Sequence, residues 1–261
     1  MNILCIGDLV GKAGRQALIE LLPAVKQEYS IDLTIANAEN SAGGAGLTPR
    51  IAEQLFREGC DILTMGDHTW DHFEIIEYLG KENPIIRPAN FPPGTPGRGW
   101  RVVTMPSGAK IGVINLLGRV FMRYNVECPF RALDAIVEEI RTQTNIIILD
   151  FHAETTSEKV AMGFYADGRI TAMVGTHTHV QTADEKVLPN GTGYITDLGM
   201  TGPYDSVIGQ NKEKILQRFL TSMPVRFEVA TDDVRLHGVV VSVDEKTGKT
   251  RDMIRVQRRL P

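Results

Sequence analysis

Cysteine is scarce in this sequence, and the few cysteines form no recognisable pattern. The 261 residues contain three of them, Cys5, Cys60 and Cys128, which are odd in number and widely spaced. This distribution argues against a set of disulfides and against a thiolate metal site. We therefore expect three buried, reduced thiols without a chemical role.

Long apolar runs and an excess of charge of one sign are also missing. No apolar segment approaches the roughly 20 residues that a membrane-spanning helix needs, and Asp8 interrupts the first apolar run too early for a signal peptide. The formal net charge of −4 is evenly spread, which argues against a dedicated nucleic-acid surface. The basic stretch RVQRRLP is predicted to be a solvated end. These absences favour a cytoplasmic protein that binds neither a membrane nor nucleic acid.

What is present is the composition of an ordinary folded protein. Hydrophobic residues make up 43% of the chain and charged residues 23%, and both values are typical of soluble globular proteins. We find no linker, internal repeat or low-complexity tract. We therefore expect a single domain over residues 1–261.

Short apolar strands alternate with helical patterns along the chain, which is typical of an α/β fold. The predicted strands are NILCIG, DLTIANA, DILTMG, WRVVTM, KIGVINLL, NIIILDFHA, ITAMVG, GTGYITD, VRFEVA, RLHGVVVSV and MIRVQ. The predicted helices are ALIELLPAVKQEY, IAEQLFREG, RALDAIVEEIRTQ and NKEKILQRFLT. Thr48 and Pro49 are expected to open the second helix, and Pro23 is expected to bend or split the first. The segment RPANFPPGTPGRG is expected to form a long surface loop.

Two of the six histidines, His177 and His179, stand two residues apart behind the apolar run ITAMV. Alone, such a pair can equally well satisfy backbone carbonyls or end a strand. Here Gly175 is expected to free the backbone where a buried strand opens into a loop. Because sites in α/β sheets gather at the carboxyl ends of strands, both imidazoles should enter one cleft and could bind a transition metal.

Other ligand-type side chains follow other predicted strands. With the histidine pair, the set is Asp8, Glu39, Asn40, Asp67, His68, His152, His177 and His179. Each member alone has a plain structural explanation, such as a helix N-cap or a satisfied core histidine. We expect the strand ends to share one edge of a sheet, where unpaired acids and imidazoles would cost several kcal/mol per ion. Two metal ions would compensate that charge, and the mixture of carboxylate, amide and imidazole favours Mn or Fe, with Zn also possible.

The order of these motifs resembles the calcineurin-like metallophosphoesterases. More closely, DLVGKAGR, NAENSAGGAGLT, GDHTWD, FHAETTSEK, GTHTHVQTADE and ITDLGMTGPYDSVIG resemble the YmdB-type 2′,3′-cyclic-nucleotide 2′-phosphodiesterases. The resemblance runs from Asn2 to about Ile208 and rests on long motifs in one order. It implies a four-layer α/β/β/α fold in which two mixed β-sheets pack face to face between helices. It also implies a homo-oligomer.

The resemblance implies a role for each residue of the set. Asp8, Asn40 and His179 would bind a first metal ion, Asp67, His152 and His177 would bind a second, and Glu39 would bridge both. His68 would stay off the metals, face the substrate and act as the general acid. The implied reaction is hydrolysis of a 2′,3′-cyclic nucleotide by a metal-bound hydroxide, without a covalent enzyme intermediate.

Three features depart from the pattern of the broad superfamily. Val10 stands where a histidine is usual, and Glu39 and Asn40 replace an aspartate-centred motif; both changes resemble the subfamily's own pattern. Asp67 stands where the superfamily has asparagine. Its extra negative charge would favour an iron-containing or mixed-valence centre, unless Asp67 is protonated, turned toward a neighbouring cation or simply an equivalent oxygen ligand.

Several other residues are candidates for a substrate pocket. The glycine-containing segments 43–46 and 200–206 are candidate pocket loops or ordinary turns. Trp70 and Tyr204 are candidates for stacking on a base, with core or loop packing as the alternative. Three other function classes are alternatives. The complete set of ligand-type side chains argues against a non-catalytic, metal-dependent nucleotide-binding regulator, and a binuclear hydrolase acting on amides would need the same metals but a different order of motifs. The third is a phosphoesterase with another substrate.

Overall fold

Strands and helices alternate along the chain in the computed structural model, which describes residues 1–261. The first half contains β1 (Asn2–Ile6), β2 (Asp8–Leu9), α1 (Gly11–Glu28), β3 (Leu33–Asn37), α2 (Pro49–Arg57), β4 (Ile62–Thr64), α3 (Glu74–Leu79), β5 (Ile85–Ile86), β6 (Trp100–Thr104) and β7 (Lys110–Leu117). The second half contains α4 (Pro129–Arg141), β8 (Ile147–His152), α5 (Thr156–Ala166), β9 (Ala172–Thr176), β10 (Lys186–Val187), β11 (Gly193–Ile195), β12 (Met200–Pro203), α6 (Lys212–Thr221), β13 (Val234–Val243) and β14 (Thr250–Arg259).

The strands form two mixed sheets. The eight-stranded sheet has the order β2-β12-β13-β1-β3-β4-β5, and β14 pairs with β13. Within it β1, β3, β4 and β5 run parallel, whereas β13 is antiparallel to β1. The six-stranded sheet has the order β10-β11-β9-β8-β7-β6. Its four central strands are parallel and its two edge strands are antiparallel to their neighbours.

The apolar side chains of β1 show how the sequence specifies the layers. Ile3 and Cys5 belong to a buried cluster that also contains residues of the other sheet, whereas Leu4 and Ile6 pack with α1, α2 and α3. Successive side chains of a strand point to opposite faces, so a strand covered on both faces must be apolar throughout. On the far face of the six-stranded sheet, a third cluster packs that sheet against α4 and α5. Two sheets between two helical layers form the four-layer fold that the motifs implied.

Two predicted elements differ from the structure. Pro23 lies inside the continuous helix α1 and does not split it. A proline removes only one helical hydrogen bond, and the neighbouring Leu22 and Val25 are buried against the sheet. The segment VRFEVA forms no strand; its only pairing is an isolated bridge between Val229 and Gln210. Thr48 and Pro49 open α2 as predicted, with the Thr48 hydroxyl accepting a hydrogen bond from the Ile51 amide at 3.3 Å.

The proline- and glycine-rich segment is not simply a surface loop. Its first residues are buried, and the Arg87 guanidinium donates to the carbonyl oxygens of Pro88 at 2.7 Å, Thr95 at 3.0 Å and Pro96 at 3.2 Å. The segment therefore folds around its own arginine. The third cysteine also departs from expectation, because Cys128 is half-buried at the start of α4 while Cys5 and Cys60 are buried. None of the six helices combines the length and hydropathy that crossing a membrane requires.

Candidate metal centre

The strand ends that carry the predicted site come from both sheets. Asp8 lies in β2, Glu39 and Asn40 follow β3, and Asp67 and His68 follow β4, all in the eight-stranded sheet. His152 ends β8, and His177 and His179 follow β9 in the six-stranded sheet. The expectation that all these ends share one edge of one sheet was therefore wrong. The two sheets pack face to face, and the site forms where their carboxyl ends meet.

Four of the predicted residues form one compact group. Glu39, Asp67, His152 and His177 place one ligand atom each within 4.8 Å of all the others. The Nε2 atom of His152 lies at the centre of the group. It is 3.0 Å from Glu39 Oε1, 3.2 Å from Asp67 Oδ1 and 3.0 Å from His177 Nδ1. Carboxylates and imidazoles at this spacing fit a transition-metal ion.

Asp8 and Asn40 supply two further oxygen atoms beside this group. Asp8 Oδ1 and Asn40 Oδ1 are buried and have no hydrogen-bond partner, although buried polar atoms normally have one. The second carboxylate oxygen of Asp8 accepts from the His177 amide at 3.2 Å, and Asp8 Oδ1 lies 3.8 Å from His152 Nδ1. Two unpartnered acceptors beside a four-ligand group fit a second cation.

The charges around the site favour a cation. Burial opposes the charged form of His152, but the carboxylates of Glu39, Asp67 and Asp8 raise its pKa well above the ordinary value. Burial alone would raise the pKa of Asp67, but hydrogen bonds and charge from His152 and His177 hold it well below its usual range.

The ring of His152 is oriented by a chain of hydrogen bonds. The Thr176 hydroxyl donates to Asp150 Oδ1 at 2.7 Å, so it must accept from the Nδ1–H group of His152 at 2.9 Å. The other ring nitrogen, Nε2, is thereby left facing Glu39 and Asp67. Asp150 is buried and also accepts from the side chains of Thr64 and Asn37. Burial raises the pKa of Asp150 to about 6. Such outer partners orient a metal-binding histidine and raise its basicity.

The other two histidines are oriented in the same manner. His177 Nε2 lies 3.0 Å from Glu154 Oε2, which leaves Nδ1 facing the four-residue group. His179 Nδ1 lies 2.9 Å from the carbonyl oxygen of Ile208 and must donate to it, which leaves Nε2 available as a ligand. Glu154 and Ile208 were missed by the sequence analysis. The quoted motif FHAETTSEK contains Glu154, but nothing in the sequence links it to His177.

Two glycines allow neighbouring groups to pack closely at the site. A Cβ atom on Gly66 would overlap with Glu39 Oε2 and with the His152 ring. Gly175 was expected to free the backbone at the mouth of a loop, but it lies inside β9. A Cβ atom there would overlap with the carbonyl oxygen of Thr196. Both positions require glycine because neighbouring groups approach the backbone closely.

His68 lies beside the four-residue group and not within it. Its amide donates to Glu39 Oε2 at 3.1 Å, and its Nδ1 atom lies 2.7 Å from Asp71 Oδ2. Asp71 in turn accepts from Arg123 at 2.9 Å. Burial alone would lower the pKa of His68, but the charge of Glu39 and the hydrogen bond to Asp71 raise it above the ordinary value.

An open pocket of about 280 Å³ gives access to the group. Its walls include the predicted residues Glu39, Asn40, His68, His177 and His179, together with Gly44 from the candidate loop 43–46. No residue of the candidate loop 200–206 lines this pocket. Trp70 packs edge-on against Phe91 with ring centroids 5.5 Å apart, and Tyr204 packs on His237 at 4.5 Å. Neither ring lines the pocket, so the packing alternative is correct for both.

The sequence of the chain matches a known family. The profile of the family described as YmdB-like protein covers residues 4–256. The chain belongs to this family. The match confirms the resemblance that the motifs indicated.

Individual proteins are similar to this chain over nearly their whole length. The chain is 49% identical to the protein of Bacillus subtilis (strain 168) named 2′,3′-cyclic-nucleotide 2′-phosphodiesterase, over 98% of this chain and 96% of that one. A crystal structure from Thermus thermophilus, described as a hypothetical protein, is 41% identical, covers all of both chains and superposes with a TM-score of 0.93. The structure of a novel phosphatase from Mycoplasma pneumoniae is 36% identical, with a TM-score of 0.93 over 99% of this chain and 93% of that one. The fold is thus the metallophosphoesterase sandwich.

Proposed function

We propose that this protein is a phosphodiesterase that opens 2′,3′-cyclic nucleotides at the 2′ oxygen and releases 3′-nucleotides. The observation that carries the proposal is the group formed by Glu39, Asp67, His152 and His177 beside the unpartnered oxygens of Asp8 and Asn40. The Bacillus relative, 49% identical, carries the name of that activity.

Two metal ions, Fe or Mn, are proposed as cofactors. Asp67, His152 and His177 would hold one ion, Asp8, Asn40 and His179 would hold the other, and Glu39 would contact both. The orientations of His152, His177 and His179 support this assignment, because in each ring the nitrogen that faces away from the site has its own partner. When bound, two such ions generate a nucleophile from water near neutral pH and neutralise charge on the phosphoryl oxygens.

His68 is proposed to protonate the leaving 2′ oxygen. Asp71 accepts the Nδ1–H bond at 2.7 Å, so the proton that can be transferred lies on Nε2. When the bond between phosphorus and the 2′ oxygen breaks, this proton neutralises the departing alkoxide. The neutral ring that remains keeps its Nδ1–H bond to Asp71. Asp71 thus orients the acid before and after the transfer.

A substrate panel tests the proposed activity. The metal-loaded protein is assayed with 2′,3′-cyclic AMP, 3′,5′-cyclic AMP, bis(p-nitrophenyl) phosphate, p-nitrophenyl phosphate and an amide substrate. We expect fastest turnover of 2′,3′-cyclic AMP, with 3′-AMP as the product. Formation of 2′-AMP would contradict cleavage at the 2′ oxygen. A fully metal-loaded protein that turns over none of the substrates would instead support the alternative of a non-catalytic, metal-dependent nucleotide-binding regulator.

The role of His68 is tested with leaving groups of different basicity. An alkoxide needs a proton as it departs, whereas p-nitrophenolate leaves readily without one. We expect His68→Ala to retain both metal ions and to lower kcat for 2′,3′-cyclic AMP by about 10²–10⁴-fold. Its rate with bis(p-nitrophenyl) phosphate should change much less. Equal losses with both substrates, or loss of bound metal, would contradict the assignment.

A further inference from the structure

A second, larger pocket adjoins the metal-site pocket. Its volume is about 560 Å³, within the range of small-molecule sites. Four residues line both pockets: Gly44, His68, Ile208 and Gln210. The two pockets therefore lie side by side. A nucleotide-sized molecule with one end at the metal ligands would reach the second pocket past His68.

The second pocket is lined mainly by apolar side chains. Ile215 and Phe219 come from α6, and Phe227 comes from the segment after it. Phe219 is 79% exposed and Phe227 49% exposed. The guanidinium carbon of Arg218 lies 4.9 Å from the centre of the Phe227 ring. Exposed aromatic rings grouped beside a polar site are characteristic of a surface that binds a flat, apolar group.

We propose that this pocket is the base subsite of the enzyme, in which Phe219 and Phe227 contact the nucleobase while the cyclic phosphate lies at the metal ligands. The inference rests on the proposed function. The position of the pocket favours a nucleobase, because the pocket adjoins the metal-site pocket along a wall that includes His68. The lining offers apolar surface and no array of donors matched to one base. The subsite should therefore accept all four bases and prefer purines for their larger stacking area.

Direct binding tests the subsite independently of turnover. Calorimetry compares 3′-AMP with ribose 3-phosphate, which lacks a base, in the wild-type protein and in Phe227→Ala. Base stacking on one aromatic ring contributes about tenfold or more to affinity. We expect at least a tenfold tighter Kd for 3′-AMP in the wild type. Phe227→Ala should lose most of this difference and leave the Kd for ribose 3-phosphate unchanged.

The matched control is Leu220→Ala. Leu220 also lies on α6 and is 85% exposed, but it does not line the pocket, so its replacement should leave both Kd values unchanged. Equal Kd values for 3′-AMP and ribose 3-phosphate in the wild type would overturn the subsite, even in a protein that turns over cyclic nucleotides. Failure of the proposed function has a different signature, namely the absence of turnover. If Phe219→Ala and Leu220→Ala both alter the sedimentation coefficient without altering either Kd, this face contacts a second copy of the chain and the subsite is overturned.

Discussion

Lys159 and Asp197 form an ion pair in the interior of the protein, with Nζ 2.7 Å from Oδ2. Both side chains are fully buried. The same Asp197 oxygen accepts from the Thr178 amide at 3.1 Å and from its hydroxyl at 2.8 Å. Thr178 lies between His177 and His179, whose φ angles of 98° and 64° are uncommon for residues with side chains. The ion pair thus anchors the loop that carries two proposed metal ligands.

We predict that Asp197→Asn destabilises the protein by about 3–5 kcal/mol, because it leaves the Lys159 charge buried without a partner. It should also weaken metal binding. The double variant Lys159→Met/Asp197→Leu should recover much of the stability but not the metal affinity, because leucine offers Thr178 no acceptor. Urea unfolding and metal titration check the two effects. Glu77→Gln, which breaks the exposed pair with Lys81, is the control and should change neither. A double variant that binds metal normally would contradict the anchoring role.

The hydroxyl of Thr176 provides a second test of how the ligands are oriented. Thr176→Val keeps the shape of the side chain but cannot accept from His152 or donate to Asp150. We expect the metal affinity to fall by about 10–100-fold, the usual effect of losing an outer partner of a metal ligand. Thr176→Ser retains the hydroxyl and should bind metal within a few-fold of the wild type. Equal affinities in the valine and serine variants would show that the hydroxyl does not orient His152.

The negative charge of Asp67 affects which metal ions the proposed centre prefers. The carboxylates of Asp8, Glu39 and Asp67 supply three negative charges, so two divalent ions and one hydroxide would leave the proposed centre about neutral. One trivalent ion restores a positive charge for an incoming phosphate. We predict that Asp67→Asn shifts the preference away from iron and toward Mn. Bound metal and turnover are measured with Mn and with Fe in both oxidation states. If the wild type and Asp67→Asn prefer the same metal, the charge of Asp67 has no effect and its oxygen is equivalent to that of asparagine.

His237 should make stability depend on pH. The Tyr204 hydroxyl donates to the Met200 carbonyl oxygen at 3.0 Å, so it accepts from His237 Nδ1–H at 2.7 Å. Nε2 is buried without a partner, and burial lowers the pKa of His237 to about 4. An unfolded histidine takes up its proton near pH 6.5, so the unfolded state gains protons first as the pH falls. The stability that His237 contributes is therefore complete above about pH 6.5 and lost progressively toward pH 4.

The His237 contribution is isolated by comparison with His237→Gln. Between pH 7.5 and pH 5, the metal-free wild type should lose about 2 kcal/mol more unfolding free energy than the variant. Urea unfolding at both pH values with a chelator present measures this difference. If both proteins lose the same free energy of unfolding between pH 7.5 and pH 5, His237 is not held neutral in the folded state.

The sequence indicated the proposed ligand set because each proposed ligand follows a recognisable apolar strand. The carboxyl ends of strands in an α/β fold face a common cleft, so the position of Glu39 after β3 and of His152 at the end of β8 was informative. Periodicity cannot say which sheet a buried strand joins, because every such strand is apolar on both faces. That is why the strand ends were assigned to one sheet, although they come from two.

The partners of the ligands could not be predicted in the same way. Thr176 contacts His152 across 24 residues of sequence, and Lys159 contacts Asp197 across 38. Such contacts depend on how strands and helices pack, and no local pattern encodes them. The strand predicted for VRFEVA is wrong for a related reason. A segment with high β-propensity forms a strand only where a neighbouring strand is available to pair with it. Its residue Phe227 lines a pocket instead.

The most direct test of a binuclear phosphodiesterase is one titration. Metal-free protein receives Mn²⁺ or Fe²⁺, and bound metal and formation of 3′-AMP from 2′,3′-cyclic AMP are measured on the same samples. The proposed site predicts two ions per chain, turnover that rises with the second ion, and loss of both metal and activity in Glu39→Gln. Full turnover by the metal-free protein, or normal metal content and turnover in Glu39→Gln, would contradict it.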